Sequence, residues 1–467
     1  MQGAGYRVQG AGCRLNFKYY CGNYLIKKVI LNRYNGKLSI LYLIKYQLFI
    51  KITPYKKARE TNNQLTDHDT MKLILLFATI LTISASNSYA QDRERVRDLG
   101  INSGILDPGP LNAITDVHGV KVGHLTRIEG DDIRTGVTAI LPHRGNLFRD
   151  RVPAAVYVGN GFGKALGFTQ VQELGELETP IGLTNTLSIH TVANGVADYV
   201  LNQPGNENVR SVNPVVGETN DGFLNDIRAR VIEMDDVYRA IESAETGPVA
   251  EGNVGAGTGT RALGFKAGIG TASRQLPDDR GGYTVGVLVQ SNFGGILTVN
   301  GAPVGEELGN HYMAHSRTNS DSLNLADQAG LTAEQYDYDV DGSIMIVVAT
   351  DAPVTSRNLE RLAKRAILGI SRVGGFASNG SGDYVIAFST HESVRINLDE
   401  EGATLTNREL KNSEMTPLFL AAVEATEEAI LNSIFMAQSM TGHNGQQMDS
   451  IPVEKVMEIL RKYSADQ

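Results

Sequence analysis

The sequence predicts a mixed α+β fold, and three stretches of the chain carry this prediction. Residues 343–349 form an almost uninterrupted apolar run, which is typical of a strand buried on both faces. Residues 359–370 place Leu, Ala and Ile at helical spacing, with charged side chains mostly on the opposite side. Residues 417–440 are rich in Ala, Leu and Ile and indicate a longer helix. Strands and helices are therefore mixed along the chain, which shows no internal repeat.

The other elements follow from local patterns in chain order. Pro353 ends the apolar strand, Thr355 or Ser356 can cap the helix that follows, and Gly374 with Gly375 closes that helix. The remaining predicted elements are a strand at residues 153–159, a helix at 186–202, a strand at 211–216, a hairpin with arms at 283–290 and 296–299, a strand at 383–389 and a helix at 452–462.

Residues 71–90 have the pattern of a secretory signal peptide. Met71 and a lysine precede an apolar run from 73 to 83, and the residues up to Ala90 form a suitable cleavage site. The run is too short for a membrane anchor, which needs about 20 apolar residues. We expect export to the periplasm or the medium, with Gln91 as the first residue after cleavage. Residues 1–70 are then expected to be upstream sequence translated from too early a start, although a genuine basic extension is an alternative.

Charge and cysteine content limit the classes of partner. The whole chain has 43 Lys and Arg residues and 52 Asp and Glu residues. Of these, 13 basic and 3 acidic residues lie before residue 91. The remaining chain therefore has 30 basic and 49 acidic residues, a net charge of −19. Such an acidic chain argues against nucleic acid or an anionic membrane as a partner, because phosphate binding needs basic residues. Both cysteines, Cys13 and Cys21, precede residue 91. The exported part therefore has no disulfide, thiolate nucleophile or cysteine metal site.

Two motifs suggest a cofactor or metal only weakly. Residues 252–260 are rich in glycine but lack both the Gly-Lys-Ser/Thr ending of a phosphate loop and the G-x-G-x-x-G spacing. A turn that allows close backbone approach, beside a small substrate or not, fits this stretch better. His311 and His315 share helical spacing, but the first lacks the glutamate that zinc proteases place next to it. We expect no cofactor and no metal.

The pair Gly342-Ser343 stands directly before the apolar strand. If the chain is cut between them, Ser343 gains a free α-amine beside its hydroxyl, and that amine can act as the general base. The acidic, polar stretch from Glu306 to Gly342 suits a chain that is opened there, because exposed polar loops are where cleavage concentrates. The alternative is an ordinary loop glycine before a strand.

Four further side chains are candidates for roles around this serine. Ser381 and Asp383 lie two residues apart at the start of a strand, so both can point to one side and orient an amine. Glu218 follows a predicted strand and can bind a substrate ammonium, and the amide of Asn292 can donate to an oxyanion. Each also has a simpler interpretation as a loop or turn residue.

Taken together, these residues resemble a family of self-processing serine aminopeptidases. It contains the L-aminopeptidase/D-amidase/D-esterase enzymes and the β-peptidyl aminopeptidases. The matching stretches occur in order along nearly all of residues 91–467, and they are 98–101, 112–124, 215–219, 254–260, 291–294, 342–349 and 379–383.

The resemblance implies a four-layer αββα sandwich, similar to the N-terminal-nucleophile hydrolases but differently connected. It implies one catalytic domain, 91–467, that cuts itself between Gly342 and Ser343 into an α chain (91–342) and a β chain (343–467). Ser343 is then the nucleophile, and Asn292 the oxyanion donor. Three further roles are implied: Ser381 and Asp383 position Ser343 and its amine, and Glu218 holds the substrate's amino group. Substrates would be small peptides, amides or esters, and four αβ units would assemble into a tetramer.

Two departures concern the details of the site. Some members carry a tyrosine that assists the oxyanion where this chain has Asn220, and the β-peptide-cleaving members have a glutamate where Asp383 stands. Two rival functions stay open: an acyltransferase like the ornithine acetyltransferases, which use threonine in place of Ser343, and a non-catalytic periplasmic binding protein. The sequence leaves the preference among L-, D- and β-residues undetermined.

Overall fold

The computed structural model describes residues 27–33, 37–44, 47–54, 93–314 and 342–465. The chain divides into two compact units, Met1–Gln91 and Asp92–Gln467. The expected signal peptide and its cleavage site lie outside the described residues. The described strands of the first unit form an antiparallel sheet with the second strand in the centre, and they are β1 (Lys27–Arg33), β2 (Lys37–Ile44) and β3 (Gln47–Pro54).

The second unit alternates strands and helices over most of its length. Its strands are β4 (Lys121–Glu129), β5 (Ile133–Leu141), β6 (Asp150–Gly161), β7 (Ala165–Leu166), β8 (Glu176–Leu177), β9 (Ile181–Asn185), β10 (Val215–Thr219), β11 (Arg261–Ala262), β12 (Phe265–Lys266), β13 (Ile269–Gln275), β14 (Thr284–Asn292), β15 (Ser343–Thr350), β16 (Gly382–Ser389), β17 (Ile396–Asn397), β18 (Met440–Thr441) and β19 (Gln447–Met448). Its α-helices are α1 (Phe168–Leu174), α2 (Ile189–Leu201), α3 (Met234–Glu242), α4 (Val304–Glu307), α5 (Ser356–Ala366), α6 (Leu368–Arg372), α7 (Met415–Phe435) and α8 (Val453–Lys462). Within the described ranges, no helix has the length and apolar content that crossing a membrane would require.

Two sheets organise the second unit. One has the strand order β4-β5-β9-β10-β7, and the other has the order β13-β14-β15-β16-β6-β17, with β8 added beside β6. In the second sheet, β15 runs antiparallel to β14 and parallel to β16. The start of β15 therefore lies between the end of β14 and the start of β16. Three strand ends meet at one edge of the sheet, where polar residues can converge without interrupting the core.

The two sheets pack face to face, and helices cover both outer faces. Apolar side chains such as Val215 from the first sheet and Val347 from the second meet in one core between the sheets. Val196 of α2 and Val237 of α3 pack on the outer face of the first sheet. Leu362 of α5, together with the apolar side of α7, packs on the outer face of the second. The architecture is thus a four-layer αββα sandwich, as the sequence predicted.

The strand that starts at Ser343 is buried along its whole length, which confirms the sequence prediction. Its side chains alternate between the two cores, because successive residues of a strand point to opposite faces. Ile344 and Ile346 pack on the helix side, whereas Met345 and Val347 pack between the sheets. The same alternation directs the side chain of Ser343 to the face between the sheets.

The predicted hairpin after residue 283 is wrong in its second arm. β14 pairs with β13 and β15, and residues 296–299 belong to neither strand. Instead, the backbone N–H groups of Ile296 and Thr298 donate to the carbonyls of Gly374 and Val373, each at 3.0 Å. Gly374 has a φ of 96°, and a side chain there would lie 1.7 Å from the carbonyl oxygen of Ile296. The β-branched pattern identified extended residues but could not identify their distant partner.

Predicted boundaries also move, most of all in one strand and one helix. The strand predicted at 211–216 is observed at Val215–Thr219, so Glu218 lies within the strand rather than after it. The helix predicted at 417–440 ends at Phe435, because the chain then turns to bond with Asn253. Gln438 donates its N–H to Asn253 Oδ1 at 3.1 Å and accepts from Asn253 Nδ2 at 2.8 Å. Of the predicted exposed segment before Ser343, residues 315–341 lie outside the described residues.

Candidate active site

Ser343 begins β15 and is 6% exposed. In the sheet it stands opposite Asn292 of β14 and beside Gly382 of β16. The backbone N–H of Gly382 lies within hydrogen-bond distance of two acceptors, Ser343 Oγ at 3.2 Å and the carbonyl oxygen of Gly342 at 3.1 Å. One N–H donor thus contacts both the hydroxyl of Ser343 and the carbonyl of Gly342. The serine and the bond that precedes it are held in fixed positions by the sheet.

Gly342 allows this arrangement because the backbone approaches too closely for a side chain. A Cβ on Gly342 would lie 2.0 Å from the carbonyl oxygen of Asn292. Real Cβ atoms do not come so near to a backbone oxygen, so any larger residue would push the two strands apart. The glycine before Ser343 is therefore required by packing against β14, independently of any chemistry at the bond.

Asn292 directs its side chain to the same face as Ser343. Directly opposed residues of an antiparallel pair have Cβ atoms about 4.5–5.5 Å apart. The amide of Asn292 is fixed on both sides: Oδ1 accepts from the N–H of Arg261 at 3.2 Å, and Nδ2 donates to the carbonyl of Asn220 at 3.0 Å. An amide nitrogen carries two hydrogens, so one N–H remains for a group bound at Ser343. An amide fixed in this way, on the same face as the serine, can donate to an oxyanion.

Ser381 and Asp383 form a buried pair beside the nucleophile. Ser381 Oγ donates to Asp383 Oδ1 at 2.6 Å, which confirms that the two side chains point to one side. Among the described residues, Asp383 Oδ2 has no hydrogen-bond partner. Burial raises the pKa of Asp383 to about 6, and the hydrogen bond from Ser381 opposes this rise. In the sheet Asp383 stands beside Ile344, one residue after the pair formed by Gly382 and Ser343.

Glu218 lies near the end of β10 and is 2% exposed. Its Oε1 accepts from the N–H of Lys164 at 2.9 Å, and its Oε2 accepts from the hydroxyl of Thr186. A carboxylate has about four acceptor positions, so these two bonds orient it and leave room for a ligand. Burial raises the pKa of Glu218, and both hydrogen bonds act in the opposite direction. The arrangement suits the binding of a cation in a protected place.

Other sequence candidates lie apart from this cluster or act through packing. A Cβ on Gly257 would lie 2.3 Å from the N–H nitrogen of Ile269, so residues 252–260 do form a turn with close backbone approach. His311 Nδ1 lies 2.7 Å from the carbonyl of Tyr312, and His315 is outside the described residues. Within the described ranges, no group of acidic, histidine or cysteine residues could hold a metal ion.

A cavity of about 120 Å³ adjoins the Asn292 amide. Its lining includes Arg261, Leu263, Phe293, Asn310 and Met448. Its lining mixes polar and apolar groups, and its volume is smaller than the roughly 300 Å³ at which ligand pockets usually begin. It provides space for a small group beside the amide that faces Ser343.

The sequence also matches a known protein family. Residues 112–448 match the family model of peptidase family S58. The chain belongs to peptidase family S58.

Relatives of the S58 chain match it over most of its length. It is 41% identical over 406 residues to the beta-peptidyl aminopeptidase BapA of Sphingosinicella microcystinivorans. The matched region covers 84% of this chain and 98% of that protein. The crystal structure of the PH0078 protein from Pyrococcus horikoshii OT3 has a TM-score of 0.70 at 44% identity, covering 79% of this chain and 99% of that one. The L-aminopeptidase D-Ala-esterase/amidase of Ochrobactrum anthropi has a TM-score of 0.69 at 35% identity, covering 80% and 99%.

The family assignment decides between the rival functions. The chain is a serine aminopeptidase with an Ntn-hydrolase-like fold, which is the interpretation that its sequence favoured over an acyltransferase and over a binding protein. Its five predicted site residues lie at the ends of three neighbouring strands of one sheet and of β10 in the facing sheet. The S58 chain therefore gathers them at one end of the sandwich.

Sequence reasoning missed the groups that hold these side chains in place. They are mostly backbone groups: the N–H of Gly382 on Ser343, the N–H of Lys164 on Glu218, and the N–H of Arg261 on Asn292. Backbone groups carry no residue-specific signal. Thr186, by contrast, could have been found, because β9 and β10 are parallel and Thr186 directly follows β9.

Proposed function

We propose that the chain cuts itself between Gly342 and Ser343 and that Ser343 then acts as an N-terminal nucleophile. One observation carries this proposal: the N–H of Gly382 contacts both the Gly342 carbonyl and Ser343 Oγ, opposite the Asn292 amide. A serine in an ordinary strand does not need a hydrogen-bond donor shared between its side chain and the preceding carbonyl, together with an amide opposite that keeps one N–H without a described partner.

In the cutting reaction, Ser343 Oγ attacks the carbonyl carbon of Gly342. The C–N bond breaks, an ester forms between Gly342 and the hydroxyl oxygen, and the hydroxyl proton passes to the released α-amine. Water then hydrolyses the ester, leaving a carboxylate on Gly342 and restoring the hydroxyl. The Gly382 N–H and the Asn292 amide stabilise the negative charge that develops on the carbonyl oxygen.

In catalysis, the new α-amine of Ser343 accepts the hydroxyl proton while Oγ attacks the substrate carbonyl. The amine returns that proton to the leaving amine, and water releases the amino acid from the acyl-enzyme. Asn292 donates to the oxyanion in both steps. Asp383 accepts a hydrogen bond from the amine through Oδ2, the oxygen that has no described partner in the uncut chain, and Ser381 orients it.

Glu218 binds the free amino group of the substrate. A buried carboxylate held by Lys164 N–H and Thr186 pairs well with an ammonium ion, and it would repel a peptide carboxylate. This charge preference restricts the enzyme to the first residue of a chain. N-acetylation of a substrate removes the ammonium and should abolish turnover, whereas amidation of its C-terminus should not.

The substrates that we propose are short peptides, amides and esters with an N-terminal β-residue. Two relatives are named beta-peptidyl aminopeptidase, at 41% and 39% identity over at least 96% of their own lengths. A matched panel of L-, D- and β-aminoacyl p-nitroanilides tests this choice directly. Faster turnover of the L- or D-compounds than of the β-compounds would contradict it.

The export of the chain and its assembly are part of the same proposal. The pattern of residues 71–90 supports export to the periplasm, and fractionation of expressing bacteria measures it. We further propose that four αβ units assemble into a tetramer, which light scattering of the purified enzyme would test. A cytoplasmic product that keeps residues 71–90 would contradict the export proposal without affecting that for the site.

The decisive experiment compares wild type, Ser343→Ala and Ser343→Thr. Wild type should separate into fragments of about 27 and 13 kDa, in proportion to 50.5 kDa for the whole chain, and the smaller should begin at Ser343. Ser343→Ala should stay in one piece and be inactive. Ser343→Thr keeps the hydroxyl and serves as the matched control, with partial processing expected. Turnover by an uncut wild-type chain would refute self-processing.

A further inference from the structure

Tyr384 lies between the nucleophile and Glu218 but has no assigned role. It stands two residues after Gly382 on β16 and is 4% exposed. Its side chain belongs to the core between the sheets, the same face to which Ser343 points. The ring packs edge-on against Phe168, with centroids 5.8 Å apart. One side of the ring is therefore fixed by packing, and the hydroxyl end lies near the strand ends that form the site.

Two glycines show which groups the ring approaches. A Cβ on Gly382 would lie 3.0 Å from Tyr384 Cε2 and 3.1 Å from Ser343 Oγ. A Cβ on Gly163 would lie 2.9 Å from the same Cε2, 3.2 Å from Tyr384 Oη and 3.4 Å from Glu218 Oε1. The edge of one ring thus extends from the nucleophile towards the carboxylate, with a glycine beside each end of it.

The phenol hydroxyl is available to a ligand. Among the described residues, no hydrogen bond of Tyr384 Oη is found, although the residue is almost fully buried. Unlike Asp383 Oδ2, this oxygen is not one of the fully buried polar atoms without a partner, so it borders a space that a ligand can enter. Burial raises the pKa of Tyr384, and the nearby carboxylates of Glu218 and Asp383 raise it further. The phenol therefore stays neutral and can accept a hydrogen bond from a cation.

We propose that Tyr384 Oη accepts a hydrogen bond from the substrate ammonium alongside Glu218. This inference rests on the proposed role of Glu218 and extends it. An ammonium has three N–H donors, of which Glu218 and Tyr384 would take two. The tyrosine ring then fixes the separation between the ammonium and the carbonyl attacked by Ser343, and Gly163 leaves the space through which the substrate backbone passes. The site selects primary, unhindered amines.

Tyr384→Phe removes the hydroxyl and keeps the packing against Phe168. Because the lost hydrogen bond is to a charged group, KM for an aminoacyl p-nitroanilide should rise about tenfold. The change in kcat should stay within about twofold, since the ammonium contact is the same in substrate and transition state. Self-cleavage should be unchanged, because no substrate ammonium takes part in it.

Gly163→Ala tests the same subsite while leaving Tyr384 itself unsubstituted. Its backbone does not need glycine, since φ is not positive, but the new methyl group would contact the tyrosine edge and Glu218. KM should rise again, and more for N-terminal residues branched next to the amine than for unbranched ones. Gly161→Ala is the matched control on the same segment, since its Cβ would meet only Val158 Cγ1, at 3.7 Å. This control should bind substrates like wild type.

The outcomes separate this inference from the function on which it rests. If Glu218→Gln raises KM while Tyr384→Phe does not, Glu218 binds the ammonium alone and the inference is overturned. If neither variant changes KM, the proposed role of Glu218 fails as well. A fall in kcat at constant KM in Tyr384→Phe would make the phenol an oxyanion donor and also overturn the inference. If Tyr384→Phe fails to fold, the comparison of Gly163→Ala with Gly161→Ala decides, because equal KM values for these two would refute the subsite.

Discussion

Asp383→Asn, introduced into a Ser343→Ala chain, tests how much the unpaired carboxylate destabilises the uncut protein. In the proposed mechanism this chain cannot be cut, so the Ser343 ammonium that would pair with Asp383 never forms. The carboxylate is then 1% exposed, with one hydrogen bond from Ser381 and Oδ2 without a described partner. Burial is the main reason that its pKa is raised from 3.8 to about 6.

The direction of the pH effect follows from this shift. A carboxyl with a higher pKa in the folded than in the unfolded chain stabilises the fold while it is protonated, and this stabilisation is lost as pH rises through the folded pKa. A rise from 3.8 to about 6, at 1.36 kcal/mol per pKa unit, makes ionised Asp383 about 3 kcal/mol less favourable than in the unfolded chain. Roughly half of this loss should fall between pH 5 and pH 8.

Thermal unfolding of Ser343→Ala with and without Asp383→Asn measures the difference. Asparagine is neutral at both pH values, so the double variant should be the more stable chain at pH 8, by up to about 3 kcal/mol, and the gap should narrow at pH 5. Asp279→Asn is the control, because its side chain is 77% exposed and should alter neither value. Parallel pH profiles for the two chains would refute the reasoning. In the processed enzyme the sign should reverse, because the Ser343 ammonium would then stabilise the carboxylate.

Three further predictions follow from other parts of the structure. Asn292→Ala should lower kcat by about 10²–10³, because one oxyanion donor is lost, and a loss confined to KM would contradict that role. Because burial raises the pKa of Glu218, kcat/KM should fall as Glu218 becomes protonated, at a pH above the usual pKa range of a glutamate. Glu218→Gln should raise KM and remove this acidic limb of the pH profile. Arg274→Met should destabilise the fold by about 3–5 kcal/mol, because buried Glu424 would lose its ion pair and Glu428 would keep only its ion pair with Arg97; unchanged thermal unfolding would show that the Arg274 pairs contribute little.

The strand at residues 343–350 and the helices around residues 356–366 and 415–435 were predictable because their apolar patterns match their burial. The pairing of residues 296–299 was not predictable, because their backbone partners lie about 75 residues further along the chain. The buried pairs of Arg274 with α7 were equally invisible. Propensity reports what a segment tends to form, and pairing across a sheet depends on segments that a local window does not include.

The sequence by itself determined the chemical groups of the site: a serine after a glycine, an amide, a hydroxyl–carboxyl pair and an acid, in an order that resembles one family. Only the tertiary structure decided how they meet. It placed Asn292 opposite Ser343, left one oxygen of Asp383 without a described partner, and set the Tyr384 ring between the nucleophile and Glu218. The physical reason is that strand register and burial fix distances, hydrogen bonds and pKa shifts, and these arise only when distant strands are packed together.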